Sequence, residues 1–416
     1  MSERSEGDRP PPANPLGHGP VLLLTGARLL DGRVVDVRIS GDRIQAVGTV
    51  GSLGPLPAMP GQPTVTTGAR IDLSGYLLLP APAEPHGHYD SAFSAALPEP
   101  AEDGAAELVR RATESALTSL GYGATAQRTH VRIGDVHGLS RLEAVLTARQ
   151  ALRGLAELQA VAMPRLLTGR AGADGRALLR DALKLGADAA GGCPDLDPDP
   201  VGYVHVLLEA AAEADCPVDL HTNAADRAQL SRVAAALAPH RPRVAVGPCS
   251  ALPPGGAGVL AGAGIRVVCL PQNGGCTGLE DRPIGLRPSL VRELAHARVS
   301  LTAGTGALRD ASNPVGRADP LDAARLLAAS GALSPEAAYD AVSAQARTAL
   351  GLAPVRVDAG FPAELLAIRG DSLTGALSGG QSRLVVHCGR IVSRTSAVRE
   401  FADTVTLALP RQNHPG

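Results

Sequence analysis

Apolar and polar positions follow two different periods along the chain. Over residues 21–50, apolar residues alternate with polar ones between glycine-containing turns, as in a β-meander whose successive side chains point to opposite faces. The segments that begin at Ala363 and Arg383 show the same alternation. These two β-rich ends predict one small β-domain, composed of residues 21–75 and 351–405, around a different middle segment.

Residues 76–350 alternate short apolar runs with longer runs rich in Ala and Leu. The longer runs carry apolar residues at i, i+3 and i+4, which is the spacing of amphipathic helices. The short runs predict eight strands, at 77–80, 129–133, 158–163, 187–191, 217–221, 243–247, 265–270 and 299–304. Strands and helices that alternate in this way predict an α/β fold, a (β/α)8 TIM barrel, in which chemistry takes place at the C-terminal ends of the strands.

Histidines follow two of the predicted strands. The stretch 77–91 reads LLLPAPAEPHGHYDS, in which an apolar run bounded by prolines predicts a buried strand that His86 and His88 follow. Extended chain directs residues i and i+2 to the same side, so both imidazoles should project together. His221 ends the strand 217–221, and all three side chains should therefore face the mouth of the barrel. Three neutral imidazoles around one cavity form a known type of zinc site, with water as the fourth ligand.

Composition argues against several classes of partner. The net charge of −2 gives no electrostatic reason to expect nucleic acid or an anionic membrane, and 2% aromatic residues offer few stacking platforms for single strands. We find no apolar run of about 18 residues, so we predict no transmembrane helix. Residues 1–20 are Pro-rich and lack the apolar region of a secretory signal, and they predict a disordered tail. Six scattered cysteines without a CxxC pair are typical of reduced thiols, so we expect a cytoplasmic protein.

Nearly the whole chain after the tail resembles the amidohydrolase superfamily, and within it the cytosine deaminase-like branch. The matching segments occur in one order: EPHGHYD, GYGATAQRTHVRIG, LGADAAGGCPDLDPDP, DLHTN, NPVGRADPLDAARL, FPAELLAIRG and RLVVHCGRIVSR. The resemblance implies a TIM barrel with a small β-sandwich formed from both chain ends. It also implies one divalent metal, zinc or iron, a small-molecule ligand and a homo-oligomer.

Members of that branch bind the metal with two His after strand one, one His after strand five and one Asp after strand eight. His86, His88 and His221 match the three histidines. Two interpretations of these residues are open: they hold a metal, or they are relics of an ancestral site that fill space without one.

Other functional positions of the branch carry residues that neither ligate a metal nor transfer a proton. The proton-shuttle Glu, the strand-six His and the strand-eight Asp fall on Ala224, Pro248 and Gly306. A substrate-contacting Gln falls on Arg165, which either binds an anionic part of a ligand or points to solvent. Loss of a general acid or base typically costs about 10²–10⁴-fold in rate, so the usual deamination should be lost.

Several polar residues near the predicted mouth admit two interpretations, and we favour the second for each. Cys249 is a replacement ligand or a small buried hydrophobe. Asp226 is a substitute base or an N-terminal helix cap, and Asp310 is a base or a loop-structuring residue. His130 lines the mouth or is a hydrogen-bonded core histidine. The Gly191-Gly192 pair binds phosphate or forms a tight turn, and no GK[ST] follows it.

Two functions are compatible with these residues. The first is a divergent metal-dependent amidohydrolase that acts on C–N bonds of a small cyclic or amide substrate by an altered mechanism. The second is a non-catalytic pseudoenzyme that uses the barrel for ligand sensing or partner binding. No catalytic residue is assigned under either hypothesis, and metal content together with ammonia release distinguishes them.

Overall fold

The computed structural model describes residues 21–54, 68–95, 104–272 and 287–397. Its strands are β1 (Val21–Arg28), β2 (Val34–Ser40), β3 (Arg43–Thr49), β4 (Gly68–Asp72), β5 (Tyr76–Pro80), β6 (Ala83–Gly87), β7 (Ala126–Ile133), β8 (Glu157–Pro164), β9 (Ala189–Gly192), β10 (Val218–Thr222), β11 (Val244–Pro248), β12 (Arg266–Cys269), β13 (Leu301–Ala303), β14 (Leu365–Arg369), β15 (Arg383–His387) and β16 (Arg390–Thr395). Its helices are α1 (Ala105–Gly121), α2 (Ser140–Ala151), α3 (Ala173–Leu185), α4 (Pro200–Glu213), α5 (Arg227–Leu237), α6 (Gly256–Ala263), α7 (Pro288–His296), α8 (Pro320–Ala329), α9 (Pro335–Val342), α10 (Ala344–Ala349) and α11 (Leu373–Gly379). The predicted tail, residues 1–20, and the end of the predicted β-domain, 398–405, lie outside the described residues.

Strands β6 to β13 form one parallel sheet in chain order. A parallel bridge between Gly87 and Gly306 joins its two edges, where the Gly306 N–H donates to His86 O at 3.0 Å. Helices cover the outside, and strands such as β10 are buried at every position. Burial on both faces explains why these strands read as short apolar runs instead of alternating ones. The predicted (β/α)8 barrel is confirmed.

The barrel begins one strand later than the sequence predicts. The apolar run 77–80 lies in β5, which pairs antiparallel with β14 in the other sheet. The first barrel strand is β6, and it contains His86 rather than preceding it. Periodicity reveals that 77–80 is a buried strand but not which sheet it joins, because its partner lies almost 300 residues away in the chain.

The second sheet has the strand order β16-β15-β14-β5-β1-β2-β3, with β4 also paired to β1. It therefore draws strands from both chain ends, as predicted. The sheet curls on itself, since the Ile44 N–H donates to Phe361 O at 2.9 Å and the Gly360 N–H donates to Ile44 O at 2.8 Å. One aliphatic cluster, which includes Leu24 and Leu365, fills the interior.

In the described parts of the chain, we find no helix with the length and apolar character needed to cross a membrane.

Candidate metal centre

Three histidine side chains converge at the C-terminal end of the barrel. His86 lies on β6, His88 follows that strand, and His221 is the fourth residue of β10. The Nε2 atom of His221 lies 2.7 Å from Nε2 of His86 and 3.1 Å from Nε2 of His88. His86 and His221 are fully buried and His88 is partly exposed. The structure thus brings together the three predicted ligands, with His88 on the side that faces solvent.

The environment of these imidazoles favours their neutral form. Burial, reinforced by the charge of His130, lowers the pKa of His86 and His221 well below the usual value for histidine. Burial also lowers the pKa of His88 to about 4, against the opposing charges of Asp90 and Asp310. A neutral imidazole keeps a lone pair for a metal, so the cluster presents three metal-binding nitrogens at neutral pH.

A fourth histidine, His130 on β7, completes the cluster. Its ring stacks on that of His86 with a centroid separation of 4.0 Å and an interplanar angle of 30°. Its Nε2 lies 3.3 Å from Oδ1 of Asp219, and the ring is fully buried. Stacking on His86 and the nearby carboxylate hold the ring in this position.

A layer of buried charged residues supports the histidines from below. The Asp219 carboxylate accepts a hydrogen bond from Nη1 of Arg128 at 3.0 Å, and both side chains are at most 2% exposed. Burial alone would raise the pKa of Asp219, but His130 and Arg128 outweigh it and hold that pKa below its usual value. Asp219 is therefore an anion inside the barrel, and it is well placed to orient His130.

Glu84 forms the other part of this layer. Its carboxylate accepts hydrogen bonds from the His86 N–H at 2.9 Å and from the Thr305 hydroxyl at 2.6 Å. Burial raises the pKa of Glu84 to about 7, despite these hydrogen bonds. Glu84 thereby ties β6 to the segment after β13. That segment approaches closely, since a Cβ on Gly304 would lie 2.6 Å from the carboxylate and 3.1 Å from the Cβ of His86.

The donor set fits a divalent ion such as zinc. A tetrahedral Zn²⁺ with Zn–N distances of about 2.0–2.1 Å separates its nitrogens by about 3.4 Å. The separations of 2.7 and 3.1 Å are about 0.7 and 0.3 Å shorter, so the rings must move apart by less than 1 Å to accommodate an ion. Nδ1 of His86 and Nδ1 of His221 are buried without a hydrogen-bond acceptor in the described chain, so no such bond through Nδ1 orients these two rings. A second group of metal-binding atoms, those of His86, His130 and Asp219, overlaps the first.

Ala224, Pro248 and Gly306 carry no ionisable side chain. Ala224 is buried after β10 with φ of 55°, and its N–H donates to the Thr222 hydroxyl at 2.9 Å. Pro248 ends β11, and Gly306, with φ of 71°, makes the bridge that closes the barrel. None of these residues contributes a metal-binding atom or a proton-transfer group to the centre.

The other candidates lie in different settings. Cys249 is fully buried, and burial raises the pKa of its thiol to about 12, which is the behaviour of a small hydrophobe. The Asp226 carboxylate accepts from the Gln229 N–H and caps α5. Arg165 is exposed after β8, where it lines a surface groove of about 500 Å³.

Asp310 forms hydrogen bonds that join two loops. Its Oδ1 accepts from the N–H groups of Ser312 and Asn313, at 2.8 and 3.1 Å. Its Oδ2 accepts from the Ser91 hydroxyl at 2.9 Å. These bonds connect the loop after β13 to the loop after β6, so Asp310 organises the rim beside His88. The Gly191-Gly192 pair ends β9. A Cβ on Gly191 would lie 2.3 Å from Cγ1 of Val161, so close packing between strands explains why a glycine stands there.

The charged layer was not predicted, although the sequence carries a signal for it. On three barrel strands, a charged residue precedes the histidine by two positions: Glu84 before His86, Arg128 before His130 and Asp219 before His221. Alternation along a strand points both members of such a pair into the barrel.

Comparisons with known proteins place this geometry in context. No protein-family model matches the chain. A pterin deaminase of Rhizobium rhizogenes is 29% identical over 352 residues, which cover 78% of each chain. An N-isopropylammelide isopropyl amidohydrolase of Pseudomonas sp. (strain ADP) is 27% identical over 228 residues, which cover 48% of this chain and 52% of that protein.

Two solved structures have the same fold. The N-isopropylammelide isopropylaminohydrolase from Burkholderia multivorans superposes with a TM-score of 0.72 at 26% identity, over 90% of this chain and 98% of that one. The 5-methylcytosine deaminase from Klebsiella pneumoniae superposes with a TM-score of 0.75 at 20% identity, over 91% of this chain and all of that one (100%).

Proposed function

On the premise that the curated and structural neighbours of this chain are amidohydrolase-superfamily members, we propose that it is a metal-dependent hydrolase of C–N bonds in small cyclic substrates. The observation that carries the proposal is the convergence of three Nε2 atoms, those of His86, His88 and His221, at the C-terminal end of the barrel. A divalent ion held there supplies Lewis-acid chemistry and makes water a nucleophile near neutral pH.

His130 and Asp219 are the candidates for proton transfer. Of the four clustered imidazoles, only His130 has a ring nitrogen within ion-pair distance of a carboxylate in the described structure, at 3.3 Å. A carboxylate beside an imidazole orients the ring and stabilises its protonated form. In this proposal, His130 and Asp219 hold the proton that is transferred. Ala224 and Gly306 have no side-chain group that can do so. Arg128 keeps Asp219 ionised and fixed.

The relatives support a proposal for the substrate class. They are described as acting on pterin, on N-isopropylammelide and on 5-methylcytosine, all of which are nitrogen-rich rings. We extend that class to this chain and assign Arg165, exposed after β8, to contact with an electronegative part of the substrate.

A second candidate function is a non-catalytic barrel that binds a small ligand. The observation that favours it is the chemistry of Ala224, Pro248 and Gly306, which offer neither a metal ligand nor a proton-transfer group. In this alternative, the four histidines form a binding surface and no bond is broken.

The experiment that separates the two uses the purified full chain supplied with zinc or iron. Bound metal is counted by mass spectrometry, and amine or ammonia release is followed with pterin, N-isopropylammelide and 5-methylcytosine. The proposal predicts metal-dependent release that falls about 10²–10⁴-fold in a His130→Asn variant with unchanged metal content. A matched control is His205→Ala, which removes an exposed histidine on α4. Bound metal without turnover favours the non-catalytic barrel, and absence of both contradicts the proposal.

A further inference from the structure

A second cluster of reactive side chains lies away from the metal centre, in the curled sheet. It consists of Glu364, His387 and Cys388. The backbone of Glu364 accepts from the Ala81 N–H at 2.9 Å, two residues before β6 begins. The cluster is therefore near the N-terminal end of that barrel strand, whereas His86 is near its C-terminal end.

The hairpin between β15 and β16 presents the thiol. His387 pairs with Arg390, so Cys388 and Gly389 form a two-residue turn with φ of 47° and 73°. Positive φ at both central residues defines a type I′ turn, which normally carries Asn-Gly or Gly-Gly. A cysteine in this conformation is unusual, and it leaves the thiol exposed at the tip of the turn.

The three side chains are arranged as a nucleophile, a charge partner and an orienting group. Sγ of Cys388 lies 3.5 Å from Nε2 and 3.9 Å from Nδ1 of His387. Nδ1 of His387 is 2.9 Å from Oε2 of Glu364, whose Oε1 accepts from the Cys388 N–H at 2.9 Å. The carboxylate therefore contacts both the imidazole and the backbone of the cysteine, and it fixes the two relative to each other.

The histidine carries the positive charge that this arrangement needs. Burial lowers the pKa of His387, but the contact with Cys388 and the bond to Glu364 outweigh it and raise that pKa to about 10. The imidazole is then protonated at neutral pH, with its charge beside the sulfur.

A second cation adds positive charge to this region. Arg347 on α10 is 6% exposed, and its Nη1 has no hydrogen-bond partner within the described ranges. Burial lowers the pKa of Arg347, and the charges of Glu364, Glu157 and Cys388 oppose that effect. A buried cation with an unsatisfied donor favours anions nearby, and a Cys388 thiolate adds to the charge that Glu364 supplies.

We propose that Cys388 is a reactive thiol that forms mixed disulfides with small-molecule disulfides, with His387 as its charge partner and Glu364 as the positioning residue. The Cys388 thiolate attacks one sulfur of the reagent R–S–S–R. The reagent's S–S bond breaks, a bond forms between Cys388 and the R–S group, and the other RS⁻ leaves and takes a proton from solvent. The Cys388 sulfur is oxidised and the departing sulfur is reduced, so no other oxidant is needed.

The expected rate advantage follows from two opposing effects. An ordinary thiol of pKa about 8.5 is only about 0.3% ionised at pH 6, and a neighbouring imidazolium favours the reactive thiolate. Intrinsic nucleophilicity falls as the thiolate becomes more stable. The advantage of Cys388 over an ordinary thiol should therefore be largest in acid and should shrink as pH rises.

The test measures the rate of reaction with glutathione disulfide between pH 5.5 and 9.5, with the adduct located by peptide mass spectrometry. All rates are measured in a Cys276→Ser background, because Cys276 lies outside the described residues. We expect one adduct, on Cys388, with a rate that depends less steeply on pH than the rate of an ordinary thiol. His387→Gln should lower the rate at pH 6 about tenfold, and Glu364→Gln should lower it by a smaller factor.

Cys388→Ser is the control that should abolish the adduct. The pH profile of the reaction rate in the protein that retains His387 tests the proposal even if the His387 variant fails to fold. A rate that rises tenfold per pH unit up to about 8.5, as for a free thiol, overturns the proposal. So does an adduct on Cys193, Cys249 or Cys269, which are buried.

Discussion

The buried pair of Arg128 and Asp219 supports both the barrel and the histidine cluster, and its removal has a predictable cost. Asp219→Ala leaves the guanidinium in a site that is 2% exposed, with Gln159 and the Ala349 carbonyl as its remaining partners. Removing one member of a buried ion pair typically costs about 3–5 kcal/mol, because the other charge is left uncompensated. We expect a loss of that size in the free energy of unfolding at pH 7.

The assay is equilibrium urea unfolding, compared with a matched surface pair. Arg180 and Glu213 form an ion pair at 3.1 Å with side chains that are 43% and 60% exposed. Glu213→Ala should cost less than about 1 kcal/mol, because solvent screens an exposed pair. The double variant Arg128→Met with Asp219→Leu removes both buried charges and should regain most of the loss. Equal small costs for Asp219→Ala and Glu213→Ala would refute the reasoning.

Three further predictions concern the same measurement of unfolding free energy. Asp197→Ala should cost about 1–3 kcal/mol at pH 7, because buried N–H donors such as that of Leu167 lose their acceptor. Burial would raise the pKa of Asp197, but its hydrogen bonds outweigh burial and lower that pKa. The stabilisation by Asp197 is therefore present above pH 3.8 and is lost as pH falls through the pKa of the folded state. A cost that does not shrink in acid would contradict this assignment. Gly304→Ala should cost about 1–3 kcal/mol and weaken metal binding, since the new Cβ would lie 2.6 Å from Glu84. The control Gly258→Ala, in open space on α6, should be neutral or stabilising. Similar effects of the two substitutions on stability would exclude the close contact at Gly304. Asp226→Ala should cost about 1 kcal/mol through loss of the α5 cap, and an unchanged stability would argue against that cap.

Most of the barrel was predictable because its strands are buried on both faces. Such strands produce short apolar runs that stand out between amphipathic helices. The resemblance to the amidohydrolase superfamily is confirmed by the curated and structural neighbours. The exception was 77–80, whose apolar character is the same whether it joins the barrel or pairs with β14. Only the tertiary structure distinguishes the two.

The part of the site that depends on the alternation of side chains along single strands was predictable. Alternation and the barrel topology brought His86, His88 and His221 together without any knowledge of contacts. The stacking of His130 on His86 is a contact between neighbouring strands, and no local pattern reports it. Alternation also directs Asp219, two residues before His221, into the barrel, but it does not reveal the partner that allows a carboxylate to be buried there. That partner, Arg128, lies 91 residues earlier in the chain.

We propose that His86, His88 and His221 hold one divalent ion. This is tested by calorimetric titration of the metal-free full chain with zinc, beside the His88→Ala and His205→Ala variants. Loss of residues that merely orient a ligand typically weakens binding about 10–100-fold, so loss of the His88 ligand should weaken it by about 100-fold or more. We expect one zinc per chain in the unmodified protein and in His205→Ala, and much weaker binding in His88→Ala. No binding to the unmodified chain, or equal affinity in all three proteins, would contradict it.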